Sequence, residues 1–161
     1  MKSYAEREIF GSYAITIWMD AVTYVSRVGA MWGNELRCHE LARAAHRALS
    51  AEHAERLRTW KVGLTVVDGR LGPIEHSWIT YAPPAPIGQP YRDAPRRAHV
   101  LDVYCPGRLP QVQLIDGSST ISREYHAGPA REDIDQAIVD SLVQEMTHDL
   151  ERKERIKYEW R

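Results

Sequence analysis

The chain has 161 residues but only two cysteines, Cys38 and Cys105, one phenylalanine, and almost no excess of charge of either sign. Each scarcity excludes something. Two cysteines can make one bridge at most, which rules out a disulfide-stapled framework and leads to an expectation of free thiols in a reducing setting. A formal charge of −1, from 21 basic and 22 acidic side chains, provides no global field for nucleic acid or an anionic membrane, so neither is expected as a partner. No apolar run approaches the roughly 18 uninterrupted residues of a membrane span; Asp20, Arg27 and similar residues break up the longest patches. The opening residues lack the basic segment and apolar run of a secretory leader, and a cytoplasmic location is therefore expected. A hydrophobic content of 43% over this length suits one domain, residues 1–161, with a core that folds without staples.

What the sequence does hold is a change of period along its length. Ile15, Trp18, Met19, Val22 and Val25 recur at steps of three and four and predict a helix from about Ser12 to Val28, stopped by Gly29. Gly33-Asn34 marks a turn before a second, alanine-rich helix from about Leu36 to Leu57. From Lys61 the pattern shifts to Val62, Leu64, Val66 and Val67, which predict a strand closed by the hairpin dipeptide Asp68-Gly69, and a second strand follows from about Ile74 to Tyr81. Residues 82–97 hold five of the nine prolines together with Arg92, Arg96 and Arg97. They read as a long loop suited to a lid or a substrate-selecting rim. Strands are expected at about His99 to Tyr104 and Gln111 to Ile115, and Gly128-Pro129 opens a last helix with Ile134, Ile138, Leu142, Met146 and Leu150 on its apolar face. This order predicts an α+β domain in which two N-terminal helices and a C-terminal helix pack on an antiparallel sheet.

Three residues carry chemistry. Cys38 falls in the first turn of the second helix, where unpaired N–H groups and the helix dipole favour the thiolate, the nucleophilic form of cysteine. Packing is the competing reading, because Cys38 shares a stripe with Leu41, Ala45, Ala48 and Leu49. His76 sits in a strand reading Glu-His-Ser-Trp-Ile, where a hydrogen-bonded core histidine is the alternative. Asp102 lies between Leu101 and Val103, a place where a carboxylate is costly to bury without a partner, and histidine is a natural one. Adjacent antiparallel strands would set His76 beside Asp102, and a helix packed on that face would bring thiol to imidazole. The result is a nucleophile, a base and an orienting carboxylate. The Cys38 backbone N–H would serve the oxyanion, with Trp32 or Asn34 as the second donor. His39, His46 and His53 repeat every seven residues, so metal ligation is one reading of them. Such steps separate side chains by about 10 Å along the axis, so a solvated polar face is expected instead, with no metal and no cofactor.

Taken in order, the run from Gly33 to Cys38, His76-Ser77-Trp78 and Leu101-Asp102-Val103 resembles the papain-like superfamily, and within it the transglutaminase-like branch. The resemblance covers about residues 32–116, with the proline-rich stretch lengthening the span between His76 and Asp102. It implies a papain-like core and a Cys38-His76-Asp102 triad in a cysteine hydrolase or acyl-transferase. Peptidase, deamidase and transglutaminase-like chemistries all fall within it, each acting on an amide or ester bond of a protein or peptide substrate. The alternative from another class is a non-catalytic adaptor of the same fold that docks through its helix faces or the Pro/Arg loop. A delivered bacterial effector is the alternative to a resident cytoplasmic enzyme. Cys38, and not Cys105, is the expected reactive thiol.

Overall fold

Two strands of apolar and β-branched residues form the centre of the sheet in the computed structural model, which describes residues 4–32, 36–82, 98–104 and 111–159. β1 (Gly63–Leu71) and β2 (Ile74–Ala82) pair antiparallel from Gly63 opposite Ala82 to Leu71 opposite Ile74. β3 (His99–Asp102) pairs with β2, β4 (Gln113–Ile115) with β3, and β5 (Tyr125–Ala127) with the other edge of β1. The order is β4-β3-β2-β1-β5, and every pairing is antiparallel. Four helices pack on this sheet: α1 (Tyr4–Trp32), α2 (Cys38–Glu52), α3 (Ala54–Thr59) and α4 (Gln136–Glu159). The α+β architecture expected from the order of elements is present.

The hairpin does not turn where the sequence suggested. Asp68-Gly69 lies inside β1, and the turn is Gly72-Pro73, with Gly72 in the left-handed region at φ 59°. Tertiary contacts override the dipeptide's turn preference, because the Asp68 carboxylate is buried against Arg43 and Gly69 faces β5 at very close range. A Cβ on Gly69 would stand 1.9 Å from the His126 carbonyl oxygen. Gly69→Ala is therefore expected to push β5 off the sheet and to destabilise the protein by about 1–3 kcal/mol, the usual range for overpacking. Thermal melts check this, and an unchanged melting temperature would show that β5 moves away without cost.

α2 is the hub of the helical layer, touching α1, α4, β1 and β2. Its Ala42, Ala44, Ala45 and Ala48 are buried, and small side chains let the neighbouring elements approach closely. Leu41 and Leu49 of α2 join Ile17 of α1, Ile79 of β2, Leu101 of β3 and Leu142 of α4 in one core. A smaller cluster of Val67, Trp78 and Val100 lies on the opposite face of the sheet, with Tyr125 packed against it.

Several boundaries differ from expectation for identifiable reasons. α1 continues past Gly29 to Trp32, since one mid-helix glycine costs only about 1 kcal/mol and α1 is held by both α2 and α4. Its buried face is Tyr13, Ala14, Ile17, Ala21, Tyr24, Val25 and Val28; Val25 is inside as expected, whereas Ile15 and Met19, also expected inside, are 51% and 58% exposed. The second helix ends at Glu52 and restarts as α3, because the His53 ring is held between Tyr13 (2.5 Å at Nδ1) and Asp20 (2.7 Å at Nε2). α4 starts at Gln136, after Asp135, whose Oδ1 accepts the N–H groups of Ala137 and Ile138 at 3.1 and 3.3 Å. Residues 128–135 therefore do not form the helix start predicted from Gly128-Pro129; Gly128 N–H donates to the Asp68 carbonyl at 2.8 Å. Among the described residues, no helix is long and apolar enough to cross a membrane. The loop of residues 83–97 with its three arginines, Asn34 and Cys105 lie outside the described residues.

Candidate active site

Asp102 ends β3 as a fully buried carboxylate. Both of its oxygens accept from His76 Nε2, at 2.9 and 2.8 Å, and Oδ2 also takes the Tyr125 hydroxyl at 2.6 Å. The Tyr104 N–H donates to Oδ1 at 3.2 Å. Sheet register explains the meeting of acid and base. Ile79 pairs with Leu101, so His76 and Trp78 project to the same side as Asp102, where the His76 ring stacks near Trp78 at 6.2 Å. The expected partnership between His76 and Asp102 is present. Tyr125 was not anticipated, because the three-residue β5 carries no hydrophobic run that would mark it as a strand.

His76 is 1% exposed, and its second ring nitrogen, Nδ1, is buried with no partner in hydrogen-bond geometry. The Cys38 side chain nevertheless acts on this ring. Burial pushes the His76 pKa down, but the Asp102 carboxylate, through its hydrogen bonds and charge, together with the nearby Cys38 sulfur outweighs burial and raises it to about 9. The imidazole is thus oriented through Nε2, with Cys38 the further side chain that favours its charged form.

The helix reaches this place by a route that the sequence did not suggest. α2 lies on the other face of the sheet from His76, with His39 against Ser77 and Arg43 against Asp68. That face carries Ile79, Tyr81 and Leu101 and buries more apolar surface, so it takes the helix body. Only the first residue of α2 comes to the imidazole. Asp102 ends β3 one residue past the pairing of Leu101 with Ile79, on the side of that pairing toward His76. At the helix start, Arg37 is extended and offers no side-chain cap, so the first N–H groups lack an oxygen from that residue. Trp32 is the final residue of α1, and its N–H belongs to the helical ladder.

A second polar chain approaches the same sulfur. Cys38 Sγ lies 3.5 Å from His39 Nδ1 and 3.9 Å from Nε2, and His39 Nδ1 is 2.7 Å from Ser77 Oγ. Ser77 donates to Asp68 Oδ1 at 2.6 Å, while Asp68 Oδ2 takes Arg43 Nη2 at 2.5 Å and the Arg131 N–H at 3.0 Å. Burial alone would raise the Asp68 pKa, but these donors hold it below the ordinary carboxylate range. Arg37 clamps Glu40 in a two-pronged pair at 2.5 and 2.7 Å and also reaches Asp133, its Nη2 donating to the Asp133 carbonyl at 3.0 Å. Residues 128–135 are thereby tied to the helix start.

The seven-residue histidine series is not a solvated face. His39 meets Ser77, His46 Nε2 lies 2.8 Å from the Leu64 carbonyl, and His53 is buried with Tyr13 and Asp20. Each ring packs inward because α2 is covered on nearly every side, and the three do not converge on one point. Among the described residues, Asp20, Glu52 and His53 are the only group of three whose ligand-type atoms all lie within 4.8 Å of one another. These groups already pair with each other or with Tyr13 and Tyr24. A cleft of about 580 Å³ lies between Asp68, Glu75 and the segment from His126 to Asp133. No family model, curated protein or solved structure matches the chain.

Proposed function

We propose that the chain is a cysteine-dependent hydrolase or acyl-transferase with a papain-like, transglutaminase-like arrangement of Cys38, His76 and Asp102, acting in the cytoplasm on an amide or ester bond of a protein or peptide. One observation carries the reading. His76 is locked to a buried carboxylate through Nε2, while Nδ1 is buried without a partner and the ring responds to Cys38. A structural histidine would have both nitrogens satisfied. In this reading Nδ1 takes the thiol proton, the thiolate attacks the carbonyl carbon, and the carbonyl oxygen turns toward the Cys38 N–H. The thiolate–carbon bond forms as the leaving group departs with the proton from Nδ1. Water or an amine then releases the acyl group from sulfur.

The test is alkylation by iodoacetamide at pH 6, with the modified sites mapped by mass spectrometry. Cys38 is expected to label at least about tenfold faster than Cys105, since an ordinary thiol is almost wholly protonated at that pH. The advantage should collapse in His76→Ala. Equal, slow labelling of both thiols would overturn the reading and favour the adaptor.

A further inference from the structure

Proton counting along the second polar chain fixes the state of His39. Asp68 is ionised and accepts from Arg43, Ser77 and the Arg131 N–H, so it has no proton to give. The single Ser77 hydroxyl proton points to Asp68. Ser77 Oγ therefore accepts at its other contact, and the His39 nitrogen that gives the proton is Nδ1, 2.7 Å away. A neutral His39 then carries its lone pair on Nε2, 3.9 Å from Cys38 Sγ.

The surroundings keep that ring neutral. Burial lowers the His39 pKa most, Arg131 and Arg37 lower it further, and Glu40 and Asp133 oppose them less strongly. Cys38, Ser77 and Asp68 complete the set of polar groups around it. The nucleophile thus stands between two histidines in opposite states. Before acylation His76 carries the proton that it will donate, and His39 has its tautomer set by a Ser-Asp pair. A bare Nε2 cannot stabilise an oxyanion; it can only accept a proton.

We propose that His39 is a second general base at Cys38, taking the proton of the acyl acceptor when the thioester is broken. This rests on the triad reading above. In the step, the oxygen of water bonds to the acyl carbon while its proton passes to His39 Nε2. The carbon–sulfur bond breaks, and sulfur keeps the electron pair as thiolate. The product acid then ionises, and its proton and the one on His39 return to His76 and to solvent. An amine acceptor would lose its proton to Nε2 in the same way, leaving an amide.

The experiment uses p-nitrophenyl acetate as the probe, with stopped-flow release of nitrophenol and intact-mass detection of acetyl-Cys38. In His39→Gln the acylation burst is expected to stay within about threefold of wild type, while steady turnover falls about a hundredfold, the middle of the range for a general base. Acetyl-Cys38 should accumulate, and hydroxylamine, which needs little base assistance, should restore release. Ser77→Ala, which frees the His39 tautomer without removing the ring, should slow deacylation several-fold and leave the burst intact; it also serves as the reporter if His39→Gln does not fold. Normal deacylation in the folded variants, or equal slowing of both phases, overturns the role of His39 alone. Failure of the wild type to form acetyl-Cys38 overturns the triad reading, and the present inference with it.

Discussion

Asp102→Ala is expected to remove turnover and stability together. The carboxylate accepts His76 Nε2, the Tyr125 hydroxyl and the Tyr104 N–H within a fully buried pocket. Its loss leaves these donors unpaired and takes the counter-charge from a buried imidazole. Breaking one side of such a pair costs on the order of 3–5 kcal/mol, and removing the orienting acid of a triad costs about 10⁴ in rate. The pH dependence gives a sharper test. His76 is raised from the ordinary 6.5 to about 9 in the folded protein, so its contribution is complete below about 6.5 and is lost as pH rises through about 9. The contribution is on the order of a few kcal/mol. Urea melts between pH 6 and 9.5 should show wild type weakening across that window and Asp102→Ala staying nearly flat within it. Parallel curves would mean that Asp102 does not hold the His76 proton.

Asp68→Ala should be the second most damaging change, although Asp68 belongs to no triad. Among the described residues its carboxylate is the only anion paired with Arg43, it anchors the Arg131 N–H, and it takes the Ser77 hydroxyl. Removal leaves the Arg43 guanidinium, 20% exposed, facing Ser77 and the sheet without its counter-ion. The expected cost is about 3–5 kcal/mol, or a fall in melting temperature of about 10 °C for a chain of this length. Asp68→Asn should cost less, because it can still accept from two of the three donors. Amide exchange in residues 128–135 should rise in Asp68→Ala, since the Arg131 tether is gone. A variant that melts like wild type and protects that segment equally would show the network to be dispensable.

The His76–Asp102 pair was legible because its signal is local. An aspartate between Leu101 and Val103 demands a partner, and strand alternation says which face it uses. The side from which the helix approaches was not legible, since both faces of β2 are buried and its sequence carries no clean alternation to choose between them. The α1 face was read correctly at Val25 and misread at Ile15 and Met19, which face outward while tyrosines, alanines and Ile17 fill the core. Asp68-Gly69 looked like a turn because its real roles, an ion pair and a close strand contact, involve residues 25 and 58 positions away. His39 was seen only as one of a series. The spacing that marks a helix face says nothing about a serine on a strand.

The sheet order also governs the sequence of events as the chain is made. Cys38, His76 and Asp102 lie in the first two-thirds of the chain, but the Tyr125 hydroxyl on Asp102 and the Arg131 N–H on Asp68 come from the last third, and β5 occupies the edge opposite β4. Residues between β4 and β5 must therefore cross the width of the sheet before either bond can close. A nascent chain that has emerged through Asp102 holds Cys38, His76 and Asp102 without either restraint, so the geometry around the thiol is completed only when the last third of the chain is in place.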